Sequence, residues 1–212
     1  MKKTKTAERG YHHGDLRDAL IHAADDLLAE KGLEGFTLRE TARRAGVSPA
    51  APSHHFGGSP GLLTEVAALG YQELADRLKA AGANGSPADR LKAQCVAYVR
   101  FAVDFPGRFH LMFRHDLLLK EKPALEAATE QAWEALAKTV LAIRNRPDDA
   151  ELDQDGEAML IGIWSTAHGF AHLTLDKKLA RVVDCCGEEH DDGALETLFP
   201  TIIDTLWVKK LG

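Results

Sequence analysis

The sequence of 212 residues contains few cysteines and no long apolar run. Three cysteines (Cys95, Cys185 and Cys186) are too few for the disulfide framework of a small secreted protein. No apolar stretch reaches the roughly 18–20 residues that a membrane-spanning helix needs, and the first lysines precede no apolar segment of a signal peptide. These absences lead us to expect a cytoplasmic protein.

The local motifs of common enzyme classes are also missing. There is no nucleophile elbow, phosphate-binding loop or zinc-protease helix, so we do not expect an enzyme. His168 and His172 have the spacing of two metal ligands on one helix face, but two histidines at this spacing do not by themselves define a metal site. We therefore interpret them as core or pocket histidines and predict no metal or cofactor. The adjacent Cys185 and Cys186 could suggest redox sensing, but their Cα separation of about 3.8 Å would strain a direct bridge, which favours plain loop cysteines.

Strand signals are few, and apolar residues recur at helical spacing along most of the chain. The pattern predicts an all-α protein of about nine helices. We expect two domains, one over residues 1–58 and a larger helical one over residues 59–212. The expected helices cover approximately residues 14–31, 37–45, 48–56, 59–82, 86–105, 109–113, 122–144, 157–176 and 194–208.

Residues 37–56, TLRETARRAGVSPAAPSHHF, resemble two short helices joined by a tight turn. Thr37 is a predicted helix cap, and Glu40 would complete a capping box. Gly46 permits the left-handed backbone that ends a helix. Ser48 and Pro49 then predict the cap and first turn of a second helix. This layout is typical of a helix-turn-helix whose second helix enters the major groove, although any helical hairpin shows similar caps.

The net charge of −6 is unevenly distributed. Residues 1–56 hold nine Lys/Arg and eight Asp/Glu, for a net charge of +1, whereas the remainder holds 17 and 24, for a net charge of −7. Three lysines lie within the first five residues, and a basic arm of this kind neutralises phosphates or acts only as a solubilising tail. The distribution fits a DNA-binding head on an acidic body.

At this point the chain resembles the TetR family of bacterial repressors. The resemblance is carried by residues 37–63, with their Thr-Leu opening, the run ARRAGVS across the turn, a His-Phe pair and paired leucines. The runs FHLMF (109–113) and WSTAHG (164–169) are similar to segments of one TetR subgroup. Two positions depart from the family pattern, because Ser53 replaces the usual Tyr and Ser59 replaces the usual Lys. Loss of a cationic phosphate contact lowers the salt dependence of DNA binding by about one counterion.

The resemblance implies a DNA-binding helix-turn-helix domain with a flexible N-terminal arm over residues 1–58, and a ligand-binding and dimerisation domain over residues 59–212. The expected DNA contacts combine residues of the reading helix with the phosphate contacts that the resemblance implies. They are Thr37, Arg39, Ser48, Pro49, Ala50, Ser53, His54, His55 and Ser59. The resemblance also implies an apolar ligand pocket in the body, for which core packing is the alternative role of each residue. Its expected lining is Cys95, Phe109, His110, Met112, Phe113, Trp133, Trp164 and His168.

The resulting hypothesis is a homodimeric transcriptional regulator, in the form of a repressor released from a palindromic operator by a small apolar or amphipathic molecule. The dimer face is expected on the last two helices, over residues 157–176 and 194–208. One alternative is a DNA-binding regulator that responds to a protein partner or to redox state. The other is a helical enzyme or binding protein in which residues 37–56 form only a hairpin.

Overall fold

The structure, a computed structural model, describes residues 13–179 and 198–209. Within these ranges every regular element is helical, which confirms the all-α prediction. The elements are α1 (His13–Lys31), α2 (Leu38–Arg44), α3 (Ala51–Phe56), α4 (Ser59–Ala81), α5 (Pro87–Asp104), α6 (Pro106–Met112), α7 (Pro123–Ile143), α8 (Gln154–Leu175) and α9 (Phe199–Ile203), which continues as a π-helical turn (Asp204–Val208). Among the described helices, none combines the length and apolar character needed to cross a membrane. Three predicted features lie outside the described residues. They are the N-terminal arm, the cysteine pair Cys185 and Cys186, and the start of the last predicted helix.

Local capping explains several helix boundaries. The Ser86 hydroxyl accepts a hydrogen bond from the Asp89 backbone N–H (3.2 Å), and Pro87 occupies the first turn of α5, as predicted. The carboxylate of Asp153 accepts a hydrogen bond from the Gly156 N–H (2.9 Å). This cap starts α8 at Gln154, earlier than the expected start near residue 157.

The helix pair α2–α3 forms with one correction. Thr37 caps α2 by accepting a hydrogen bond from the Glu40 N–H (3.2 Å), and Gly46 has the predicted positive φ of 68°. The second helix, however, begins at Ala51, so the prediction of Ser48 as its side-chain cap is wrong. The physical reason is Pro52, which lacks an N–H and therefore belongs in the first turn.

The long helix α4 lies at the centre of the fold. It packs most extensively against α7 and also contacts α1, α3, α5 and α6. One continuous hydrophobic core therefore includes side chains from α1 to α9. Val103 continues the four-residue spacing of Leu91, Cys95 and Val99 in α5, which predicts a buried side chain, but it is 44% exposed. Three steps of four residues from Leu91 rotate a side chain by about 120°, which moves Val103 off the buried face.

The short helix α6 lies directly on α1. A Cβ atom added to Gly107 would lie 2.7 Å from the backbone carbonyl of Leu28, so the two backbones are in close contact. Next to it, Arg108 donates to both carboxylate oxygens of Asp25, with Nε–Oδ1 at 2.7 Å and Nη2–Oδ2 at 2.5 Å. Both side chains are largely shielded from solvent. This contact fixes the first helix of the head to the body.

Candidate DNA interface and ligand cavity

The predicted DNA-contacting residues lie on and around α2 and α3. His55 and Ser59 are partly buried, and the other seven are exposed. His54 and His55 are neighbours on α3, with ring centroids 5.4 Å apart. The structure thus places on the surface most of the side chains that sequence reasoning assigned to DNA.

The arginines of α2 differ in their surroundings. Arg43 donates to both carboxylate oxygens of Glu40, at 2.8 and 2.7 Å, and Arg44 contacts Glu30 and Glu40. The hydrogen bond from Arg43 holds the pKa of Glu40 at about 2, so this carboxylate stays ionised and offsets part of the positive charge. Arg39 is exposed and forms no ion pair with any other described residue. It is the arginine of α2 whose charge is most available to a phosphate.

The joint between α3 and α4 is tightly packed. Gly57 and Gly58 turn the chain with positive φ angles of 73° and 127°. At Gly61 a Cβ atom would lie 1.8 Å from the carbonyl oxygen of Phe56, so a side chain is excluded there. The Phe56 ring also lies under the guanidinium of Arg17, 5.3 Å from its centroid. These contacts fix the orientation of α3 relative to α4.

A cavity of about 130 Å³ lies between α4, α5, α7 and α8. Four of the predicted ligand-binding residues line it: Cys95, Phe113, Trp133 and Trp164. The remaining wall is formed by residues that sequence reasoning did not assign to it. They are Tyr71, Leu74, Leu78, Gln94, Tyr98, Thr129, Ala132, Leu136, Leu160, Ile163 and Ala167. Tyr71 shares helical spacing with Leu74 and Leu78, and this signal would have placed it on the same face.

Four other predicted ligand-binding residues lie elsewhere. Phe109 and Met112 are fully buried in the core and are not part of the cavity wall. His110 lines a separate depression that is formed mainly by residues 32–34 of the head and by α6. His168 lies behind Tyr98 rather than on the wall.

A hydrogen-bond relay joins two residues of the cavity wall, Trp164 and Tyr98, to the histidines of α8. Trp164 Nε1 donates to the Tyr98 hydroxyl (3.2 Å), which lies 2.9 Å from His168 Nδ1. His168 Nε2 in turn lies 3.2 Å from His172 Nε2. Because the indole only donates, the tyrosine proton is free for His168 Nδ1. The relay therefore assigns the His168 proton to Nε2, from which it is donated to His172.

The cavity wall is electrically neutral. None of its residues is an Asp, Glu, Lys, Arg or His. Burial raises the pKa of the Cys95 thiol and of the Tyr71 hydroxyl to about 12 each, and it also raises the pKa of Tyr98. All three groups consequently stay protonated at neutral pH. Cys95 is an inert buried thiol rather than a reactive thiolate.

We predict that the protein loses stability as the pH falls below about 6.5, the ordinary pKa of histidine. Burial, with the nearby His172, lowers the pKa of His168, so the unfolded chain binds a proton at this residue before the folded chain does. Urea unfolding between pH 7.5 and 5.5 checks this, and His168→Gln should flatten the decline. The same change at exposed His115 is the control, and an equal effect of both substitutions would contradict the assignment.

In the described part of the chain, no three His, Cys, Asp or Glu side chains come together as a metal site. His168 and His172 face each other and belong to the relay.

Comparison with known protein families gives matches in both halves of the chain. Residues 20–66 match the family described as bacterial regulatory proteins, tetR family, and residues 91–190 match the tetracyclin repressor-like C-terminal domain. The chain is also 35% identical over 95 residues to the HTH-type transcriptional regulator CymR from Pseudomonas putida. That alignment covers 45% of each protein, which is less than half of the relative's length.

Solved structures with the same fold span most of the chain. A protein of unknown function from Rhodococcus sp. RHA1 is 27% identical, with a TM-score of 0.75 over 94% of this chain and 97% of that one. The TetR family regulator PfmR from Thermus thermophilus is 22% identical, with a TM-score of 0.53 over 73% and 95%. A tetR-family regulatory protein from Rhodococcus RHA1 is 20% identical, with a TM-score of 0.57 over 74% and 83%. The family matches in both halves and the shared fold lead to one conclusion: the chain belongs to the TetR family of bacterial regulatory proteins.

Proposed function

We propose that the chain is a homodimeric transcriptional repressor of the cytoplasm. It binds a palindromic operator through a head formed by residues 1–58, and a small apolar or amphipathic molecule bound in the body, residues 59–212, releases it. One observation carries this proposal. An exposed helix pair and an internal cavity occur in the same chain, and α6 connects the two regions by packing against α1 on one side and against α4 and α5 on the other.

The exposed face of the head suits contact with a DNA major groove. Ala50 fits against a thymine methyl, while Ser48, Ser53 and His54 offer hydrogen bonds to base edges or phosphates. Arg39 supplies a positive charge for the backbone. One head covers only a half-site, so two heads about 34 Å apart, or a multiple of this, match a palindrome. The relative in Pseudomonas putida is by name a transcriptional regulator of the helix-turn-helix type.

A second copy of the chain is the proposed partner of α8. Large apolar side chains of this helix are exposed, with Ile161 at 50% and Leu173 at 46%. Between them, Ser165 and Gly169 lie on the same side of the helix at four-residue spacing, and small side chains let a partner helix approach closely. Leu206, in the turn after α9, is also exposed at 41%. A symmetric dimer would cover this face with its own copy.

Ligand binding would reach the head through α6. Tyr71 and Phe113 line the cavity, and the Tyr71 hydroxyl donates to the carbonyl oxygen of Met112 (3.3 Å) at the end of α6. The other end of α6 holds α1 through Gly107 and through the pair of Arg108 with Asp25. A ligand that displaces these cavity side chains therefore shifts α6 and with it the head. It does so only if it binds one arrangement of the heads better than the other.

Gel-shift titrations with DNA from the region upstream of the protein's own gene test the proposal. A salt series counts the phosphates that the protein neutralises, because each one contributes about −0.9 to the slope of log K against log salt concentration. Sequence-specific, salt-dependent binding by a dimer is the expected result. Absence of such binding to any promoter-proximal sequence would count against the proposal.

We predict that His54→Ala weakens operator binding about tenfold or more while the dimer stays intact. His54 is exposed on α3, and one good base contact contributes on the order of 1–3 kcal/mol. Gel shifts and analytical ultracentrifugation give the two readouts. His115→Ala, at an exposed histidine of the body, is the control that should retain operator binding. Simultaneous loss of operator binding and of the dimer would indicate a structural role for His54.

The alternative is a regulator that answers to a protein partner or to redox state. Cys95 does not support the redox form, because the buried thiol is protonated at neutral pH. A protein partner requires no internal cavity, whereas this chain contains one lined mainly by apolar and aromatic side chains. The cavity therefore favours the small-ligand form of the proposal.

A further inference from the structure

One buried side chain indicates what the cavity binds. Gln94 of α5 is 2% exposed and lines the cavity wall. Its Nε2 donates to the carbonyl oxygens of Leu78 on α4 (3.2 Å) and Ala135 on α7 (2.9 Å). It also lies beside Gly82, where a Cβ atom would be 2.5 Å away. The amide nitrogen is thus held between the end of α4 and α7.

The orientation of this amide follows from its partners. A flipped amide would place Oε1 against two carbonyl oxygens, which only accept hydrogen bonds, so the nitrogen must face them. Both amide hydrogens are therefore in use. The Oε1 atom is buried and has no hydrogen-bond partner among the described residues. The hydrogen-bonding capacity that Gln94 still offers to the cavity is that of an acceptor.

The hydroxyl groups of the wall offer no free proton to a ligand. Tyr98 donates to His168, Tyr71 to the carbonyl oxygen of Met112 and Thr129 to that of Leu125. No lining residue carries a charge, so an ionised ligand would lose its hydration without gaining a counter-charge. The wall thus favours an uncharged ligand that donates one hydrogen bond.

The size and the aromatic lining define the rest of the ligand. A cavity of about 130 Å³ is close to the roughly 150 Å³ of an apolar cavity that accepts benzene. Five aromatic side chains line it, and the rings of Trp133 and Trp164 meet edge to face, 6.4 Å apart. Both tryptophans are partly exposed, at 38% and 37%, which places them at the opening of the cavity. These features suit one planar ring.

We propose that the cavity selects an uncharged monocyclic phenol, whose hydroxyl donates its proton to Oε1 of Gln94. This assignment rests on the proposed function, in that the cavity is taken to be the effector site. It adds the chemical class of the effector and the residue that recognises it.

Binding of three single-ring probes to the purified full-length protein tests the assignment, with tryptophan fluorescence as the readout. Phenol carries the donor, toluene has nearly the same shape without it, and benzoate carries a charge. The wild-type protein should bind phenol at least tenfold more tightly than either of the others. Equal or tighter binding of toluene or benzoate would overturn the assignment, and so would a failure of all three to bind at millimolar concentration.

Two variants locate the effect within the chain. In Gln94→Leu the preference for phenol over toluene should disappear, and a preference that persists in this variant would overturn the role of Gln94. Ala132→Leu fills the cavity from α7 while Gln94 itself is retained, and it should weaken the binding of both probes, even if Gln94→Leu proves unstable. Retained phenol affinity in Ala132→Leu would place the ligand outside the cavity and overturn the proposal.

Gel shifts in the presence of phenol address the proposed function separately. If phenol binds with the expected selectivity but does not release operator DNA, the cavity assignment stands and the effector role fails. If operator release by another molecule is found while phenol does not bind, the effector role stands and the phenol assignment fails.

Discussion

Replacement of Phe109 by alanine is expected to lower the free energy of unfolding by about 3–5 kcal/mol, the range measured for aromatic truncations in protein cores. The side chain is fully buried. Its ring centroid lies within 6.1 Å of those of Tyr98, Phe113, His168 and His172. Removal of the ring leaves a void beside the relay, which the fixed backbone of α6 cannot close.

Urea unfolding followed by circular dichroism measures this loss, at one protein concentration because a dimer makes stability concentration-dependent. Trp133→Ala is the matched control, since this aromatic residue lines the cavity and is 38% exposed. It should cost distinctly less stability and should instead weaken ligand binding. A larger loss of stability at Trp133 than at Phe109 would mean that the two roles are reversed.

Gly61→Ala is expected to weaken operator binding at least tenfold and to destabilise the head. The new methyl group would lie 1.8 Å from the carbonyl oxygen of Phe56, so α3 must move away from α4. Forced overpacking of this kind typically costs about 1–3 kcal/mol, and here it also reorients the proposed reading helix. Urea unfolding and gel shifts report the two effects.

Asp76→Ala, at an exposed position of α4 away from the joint, provides the control for the effect of alanine itself. Alanine has a higher helix propensity than aspartate, so the stability should change by less than about 1 kcal/mol and operator binding should be retained. Wild-type operator affinity in Gly61→Ala would show that the orientation of α3 does not depend on this joint. The contrast between the two alanine variants separates crowding at one carbonyl from the general effect of a substitution by alanine.

Sequence reasoning succeeded where the signal was local. Thr37 caps its helix, Ser86 and Pro87 open theirs, and Gly46 turns the chain because each acts on backbone within a few residues. The start of α3 was missed because Pro49 and Pro52 each suit the first turn of a helix. In the structure Pro52 occupies that turn, and Pro49 precedes the helix. Family membership also confirms that the chain is a regulator rather than an enzyme.

The cavity was less accessible to sequence reasoning. The type of an aromatic residue does not reveal whether it faces a cavity or the core. For Phe109 the answer depends on how α6 rests on α1, which is set by the close contact at Gly107. Gln94 carries no signal of its own, because its importance comes from two carbonyl groups on other helices. Such long-range contacts appear only in the folded chain.

The contact between α6 and α1 limits how heads and bodies can be exchanged between relatives. A chimera joined at residue 58 would bring a foreign α1 but retain Gly107 and Arg108. The foreign helix would then need a backbone that tolerates the close approach at Leu28 and a carboxylate at the position of Asp25. The smallest exchangeable head is therefore a discontinuous unit that includes both the N-terminal helices and α6. Domain grafting in this protein becomes a problem of matching α1 to α6 rather than of choosing a linker.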